Sequence, residues 1–199
     1  MIEVAGAQLS LRYPVSDDVP ALFALARDPE VTRHFSWGPY RAIEEAEAFV
    51  ASLPSRRRRG EALELLVVHE DHGPIGLTGL FELARRDRRC VVGTWFGRRW
   101  WGTGVNARSK ALVLALAFET LGMDRVTAWA GTDNRRSQAA LARLGFSDEG
   151  VLRAWHRHNG AARDVAAFSL LRDEWERSAL RRSFPAVVKG RPPRAFAVR

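Results

Sequence analysis

The stretch from Trp95 to Lys110 reads WFGRRWWGTGVNARSK and gathers the residue types that bind phosphate. Gly102 and Gly104 stand one residue apart, after Arg98 and Arg99 and before a segment of helical periodicity. Glycines let the backbone come close to a ligand, and the first amides of a helix, with its dipole behind them, favour an anion. Three phosphate-binding patterns compete here. A P-loop needs Gly-Lys-Ser/Thr after four spacers; Lys110 lies between Ser109 and Ala111, so that register fails. The dinucleotide fingerprint G-x-G-x-x-G/A is met by Gly102, Gly104 and Ala107, with Asp133 as the ribose-binding acid, and predicts an NAD-type oxidoreductase on a parallel sheet. Its first glycine should directly follow a strand, whereas Arg98 to Trp101 intervene. The third pattern, Arg99-x-x-Gly102-x-Gly104, also uses the arginine and fits a pyrophosphate at the amides of Gly102 to Asn106.

The elements that must position this loop follow from periodicity. AQLSLRY alternates as a half-buried strand, and SDDVPALFALARD is a helix capped by Ser16. An aromatic loop, VTRHFSWGPY, leads to a helix in YRAIEEAEAFVASL; RRRRG (Arg56 to Gly60) reads as a loop. ALELLVVHEDHGPIGLTGLFEL forms a hairpin turning at Asp71 to Gly73, and CVVGTWF supplies another strand, the three pairing antiparallel. After Gly104 come a helix of about five turns closed by Gly122 and the strand RVTAWA. NRRSQAALARLGF is a helix with Ala139, Ala140, Leu141 and Leu144 inward, and a hairpin follows, turning at Asn159-Gly160.

The chain has 199 residues, 46% of them apolar, which suits one sizeable domain. With no long apolar run and no secretory signal at its start, it is expected in the cytoplasm, without membrane contact. Cys90 is the lone cysteine, which rules out an intrachain disulfide and a cysteine metal cluster. Of the net charge of +8, seven units lie in Arg177, Arg181, Arg182, Lys189, Arg191, Arg194 and Arg199, with no acid after Glu176. The body is therefore nearly neutral, nucleic acid is not expected as a partner, and the tail reads as a loosely attached extension.

On Arg99-x-x-Gly102-x-Gly104 the chain resembles the GNAT superfamily of N-acetyltransferases, and more narrowly its RimJ/RimL branch. DNRRSQAALARLGF, GVLRAW and RDVAAFSLLRDEW extend the resemblance over roughly Leu9 to Trp175. It implies an α/β fold, a mixed, mostly antiparallel sheet flanked by helices on both faces, with residues 1–176 as the acetyltransferase domain and 177–199 as a basic C-terminal extension. The implied co-substrate is acetyl-CoA, and no metal is expected. The acceptor is a primary amine, at a protein N-terminus or on a small molecule, and a homodimer is expected.

The resemblance also implies roles. The strand before the glycines splays from the strand after the central helix. Thr94, Trp95 and Phe96 would hold the pantetheine arm there, a main-chain amide polarising the thioester carbonyl. Gly102, Thr103, Gly104, Val105 and Asn106, backed by Arg99, would hold the pyrophosphate, and Asn134 would fix the cofactor from the other side. Ser137 would protonate the departing thiolate; a serine one turn into a helix can also serve only to assist the cap, and the matched motif favours the proton-donor role. Relatives carry an acid at the position filled here by Val91, so Glu82 is the candidate base by position, with an exposed rim role as its bland reading. His34, Trp37 and Trp155 would wall the acceptor cleft, with Phe35 filling core. His156 and His158 read as solvated. A noncatalytic CoA-binding or ribosome-associated module remains the rival, favoured by Val91 and the basic tail.

Overall fold

A computed structural model of the chain describes residues 2–158 and 160–196. Among the described residues, nine strands form one sheet: β1 (Ile2–Ala5), β2 (Leu9–Arg12), β3 (Ala62–His69), β4 (Gly73–Ala84), β5 (Arg89–Phe96), β6 (Arg125–Gly131), β7 (Ser147–His158), β8 (Ala161–Leu171) and β9 (Val187–Gly190). Their spatial order is β7-β8-β6-β5-β4-β3-β2-β1-β9. Every neighbouring pair is antiparallel except β5 and β6. Parallel neighbours need a crossover, and the segment after Gly104 provides it as α4 (Val105–Ala115), prolonged by a π turn over Leu116–Thr120 and ended at Gly122, φ +71°. The expected α/β class and mixed, mostly antiparallel sheet are what the structure has.

Helices cover both faces. On one, α4 and α5 (Arg135–Arg143) bury Leu112, Leu114, Phe118, Leu141 and Leu144 against Leu11, Leu65, Leu80, Val92 and Val126. On the other, α1 (Val19–Ala26) and α3 (Ile43–Arg59) bury Leu22, Ala46 and Val50 against Leu66 and Leu77; the short α2 (Pro29–Thr32) lies between them in sequence. Of the four residues expected inward on α5, Ala139 is exposed.

Two local expectations are corrected. Arg56 to Arg59 are the last turn of α3 and not a loop: the helix runs through Pro54 and ends at Gly60, φ +74°. Their cations sit at the negative end of the helix dipole, Arg56 pairs with Glu64 at 2.8 Å, and the Arg57 guanidinium lies 3.9 Å from the Tyr13 ring centroid.

The tail is also not loosely attached. After α6 (Arg172–Arg177) and α7 (Ala179–Ser183), β9 pairs with β1 and extends the sheet at its far edge. Leu180, Phe184 and Val188 pack on the core, and Phe196 is 0% exposed. Apolar residues spaced among the arginines supply this anchoring. Phe196→Ala is expected to cost about 3 kcal/mol in chemical denaturation, the usual range for a phenylalanine removed from a packed interior. An unchanged midpoint would show the tail to be dispensable. In the β7–β8 turn Gly160 has φ +77°, and Asn159 lies outside the described residues.

Candidate active site

The β5–β6 ladder is short: Arg89 pairs with Arg125, Cys90 with Val126 and Val91 with Thr127, and there it stops. Beyond Val91, β5 stays paired with β4 up to Phe96, and β6 with β8 up to Gly131. The two halves of the sheet are each intact and part between these strands. The gap lies at their C-terminal ends, between the starts of α4 and α5.

Gly97 N–H donates to Ile75 C=O at 3.0 Å. By antiparallel alternation, the backbone groups of Gly93 and Trp95 face β4, and those of Thr94 and Phe96 face the gap. Phe96 C=O accepts from the Trp101 indole N–H at 3.1 Å. The amides of Thr94 and Phe96 and the Thr94 carbonyl are therefore the backbone groups an extended ligand would meet. Trp95 departs from expectation, because the pleat turns its backbone to β4; its ring instead meets Trp37, centroids 5.5 Å apart, on the opposite face.

The glycine loop is built for close approach. Gly102 and Gly104 have φ of +80° and +86°, and a Cβ on either would meet nothing within 4 Å. Gly104 is the N-cap of α4 and offers no side-chain cap. As a result the amides of Gly102, Gly104, Val105 and Asn106 have no acceptor among the described residues, the arrangement that binds an anion at a helix start. Thr103 is committed otherwise: its N–H and hydroxyl both donate to Trp100 C=O, at 3.4 and 2.8 Å. The exposed Arg99 guanidinium lies 4.7 Å from the Trp100 ring centroid.

Across the gap, α5 is capped by Asn134, whose side-chain oxygen accepts from Ser137 N–H at 3.1 Å. Ser137 is half-buried in the first turn, and its hydroxyl makes no hydrogen bond within the described residues. Asn134 does the capping, so the Ser137 hydroxyl is left for another partner. Arg136, beside it, places its guanidinium 3.4 Å from the Trp101 ring centroid and so links the two walls.

On the acceptor side, Trp37 is the hub of Phe35, Tyr40 and Trp95, with centroid distances of 5.3 to 5.5 Å. Phe35, expected as core filling, is half-buried on Trp37. His34 Nδ1 lies 3.4 Å from Asp133 Oδ1, reaching the end of β6. Trp155 belongs to a separate group: it is 47% exposed and stacks edge-on against Trp129 at 5.2 Å. Glu82 is not brought to the gap. It is exposed, with φ +49°, four residues along β4 from the Thr78 that faces Thr94, which is roughly 13 Å of strand.

Burial pushes the Cys90 thiol up to about 12, so it offers no thiolate nucleophile. Lys110, one and a half turns into α4, was not singled out from sequence. It is 4% exposed, burial pushes it down to about 7, and its ammonium donates to Thr94 Oγ1. The signal was available: the following run ALVLALAF is apolar all round, so from Ser109 onward the helix has no solvent face to receive a lysine.

The profile of the family described as "Acetyltransferase (GNAT) domain" matches residues 8–147. The uncharacterized N-acetyltransferase YoaA of Bacillus subtilis (strain 168) is 28% identical over 166 residues, 83% of this chain and 94% of that protein. Two solved structures share the fold. The microcin C7 self-immunity acetyltransferase MccE, in complex with acetyl-CoA and AMP, has a TM-score of 0.75 at 20% identity, covering 83% of this chain and 93% of that one. The spermidine N-acetyltransferase of Vibrio cholerae, in complex with CoA and spermine, has a TM-score of 0.74 at 19% identity, covering 85% and 99%. With the profile spanning most of the sheet and the glycine loop, the chain belongs to the GNAT family of N-acetyltransferases.

Proposed function

We propose that this protein transfers the acetyl group of acetyl-CoA directly to a primary amine, both bound at once, as in the RimJ/RimL branch. The observation that carries the reading is the gap between β5 and β6, with uncapped amides at one end and Ser137 across it. The amides of Gly102, Gly104, Val105 and Asn106 hold the pyrophosphate, with Arg99 and Thr103 beside them. Thr94 and Phe96 pair with the pantetheine arm as a neighbouring strand would, Trp95 walls the acceptor side, and Asn134 steadies the arm from α5.

In this reading a gap-facing amide receives the charge that develops on the thioester oxygen as the amine attacks. The C–N bond forms as the C–S bond breaks; Ser137 gives its proton to the departing sulfur, and the proton shed by the new amide nitrogen passes through solvent water and restores the Ser137 hydroxyl. Holding both reactants in place supplies much of the acceleration. An α-amino acceptor has a pKa near 8 against about 10.4 for a lysine, so it is partly neutral without a dedicated base. That is consistent with Val91 at the position of the relatives' acid and with the remoteness of Glu82, whose base role we retain only through intervening water. His34 and Trp37 select the acceptor, a protein N-terminus or a small amine, and the exposed Trp155, on its separate Trp129 cluster, contacts the acceptor farther out. We further place the enzyme in the cytoplasm as a homodimer, with residues 1–176 as the catalytic domain and 177–199 as an extension closing the sheet edge.

The test is calorimetric titration with acetyl-CoA, with NADH as control, followed by thiol release against N-terminal peptides and polyamines. Micromolar acetyl-CoA binding with amine-dependent thiol release is expected. Binding without turnover of any amine favours a noncatalytic CoA module, and no binding by the folded protein overturns the reading.

A further inference from the structure

We propose that Lys110 is a positioning residue which, acting through Thr94, takes over the support that β5 loses where β6 departs. The inference rests on the acetyl-transfer reading for its catalytic consequence, but its structural part stands alone. The β5–β6 ladder ends at Val91, and Lys110 holds β5 from α4 three residues farther on, at Thr94.

The hydrogen bonds around Thr94 join α4, β5 and β4. With the Thr78 Oγ1 proton on Gly93 C=O at 3.1 Å, the 2.7 Å contact between the Thr78 and Thr94 hydroxyls is donated by Thr94, although either hydroxyl can be the donor there. Thr94 Oγ1 then accepts from the Lys110 ammonium. The chain of hydrogen bonds runs from α4 through β5 to β4 and back to the β5 main chain. It fixes the rotamer of Thr94 and the plane of its amide, one of those facing the gap.

A long cationic side chain buried for packing alone is an unfavourable choice, because a methionine fills the same volume without desolvating a charge. Lys110 has no carboxylate partner among the described residues, and its contact is to the strand residue at the gap. Thr94 and Lys110 lie on the sheet face covered by α4 and α5, the face from which Ser137 approaches. Lys110 Nζ therefore lies on the same face of the sheet as Ser137, and it donates to Thr94 as an amine or as an ammonium.

Two substitutions separate this role from filling space: Lys110→Met, which keeps the volume, and Thr94→Val, which keeps the shape and removes the hydroxyl. In the ligand-free protein, each is expected to raise hydrogen–deuterium exchange of the segment 92–97, with the rest of the sheet unchanged. With acetyl-CoA and the best amine of the panel, each should lower kcat by about tenfold or more and leave the amine KM within about twofold, and the double variant should lose no more than the worse single one. Thr94→Ser, which keeps the hydroxyl, should restore the rate. If Lys110→Met does not fold, the Thr94 pair decides the matter. Wild-type exchange in 92–97 together with wild-type kcat in Thr94→Val or Lys110→Met overturns the inference, whereas a wild-type protein that turns over no amine overturns the acetyl-transfer reading and leaves the exchange result standing.

Discussion

Gly104→Trp is expected to abolish acetyl-CoA binding, weakening it by at least about 100-fold, or about 2.7 kcal/mol, while the protein remains folded. Gly104 sits at φ +86° with nothing within 4 Å of a would-be Cβ, so a side chain there has room in the ligand-free protein. Its cost to folding is the left-handed backbone alone, about 1–2 kcal/mol. In a chain of this size that lowers Tm by only a few degrees. The indole, however, projects from the N-cap of α4 over the uncapped amides that the proposed pyrophosphate needs. The matched control is Gly145→Trp: φ is +89° and the surroundings equally open, but the residue lies past the far end of α5. Calorimetry should give wild-type affinity for the control. Equal affinity in the two variants would place the pyrophosphate elsewhere.

What the sequence revealed, and what it hid, divides along the distance over which information must travel. The β3–β4 hairpin, the crossover helix and the glycine loop were legible because turn residues, periodicity and positive-φ glycines are local signals. The strand pair β1–β9 was not, since Ile2–Ala5 and Val187–Gly190 are four residues each and lie at opposite ends of the chain. In the tail the arginines dominated the reading, although burial is decided by Phe184, Val188 and Phe196 between them. Pro54 has the look of a helix end, yet the following arginines find Glu64 and Tyr13 and keep α3 going. At the site, residue type pointed to Ser137 and the glycines, but only the pleat tells that Thr94 and Phe96 face the gap and Trp95 does not. Glu82 illustrates the limit of spacing: β4 runs antiparallel to β5, so its C-terminal end lies beside the start of β5, where β6 is still paired, and that register is not visible in the sequence alone.

Ser137→Ala is expected to lower kcat about 100-fold, the usual worth of one positioned proton donor, with the acetyl-CoA dissociation constant unchanged. Fold and cofactor loop should survive, because Asn134 already caps α5 by accepting from the Ser137 amide, which alanine retains. The hydroxyl, by contrast, has no hydrogen-bond partner within the described residues, so its loss leaves no buried group unsatisfied. A helix-capping role and a proton-donor role therefore predict opposite results. The cap belongs to Asn134, so Asn134→Ala should lower stability by about 1 kcal/mol. Ser137→Ala should leave the denaturation midpoint in place and act on turnover alone. The proton-donor assignment further requires that the loss depend on the leaving group: a thioester whose thiol has a lower pKa needs less protonation, so replacing CoA by a more acidic thiol should narrow the gap between wild type and Ser137→Ala. A variant equally impaired with both thioesters would show that Ser137 shapes the site without giving up its proton.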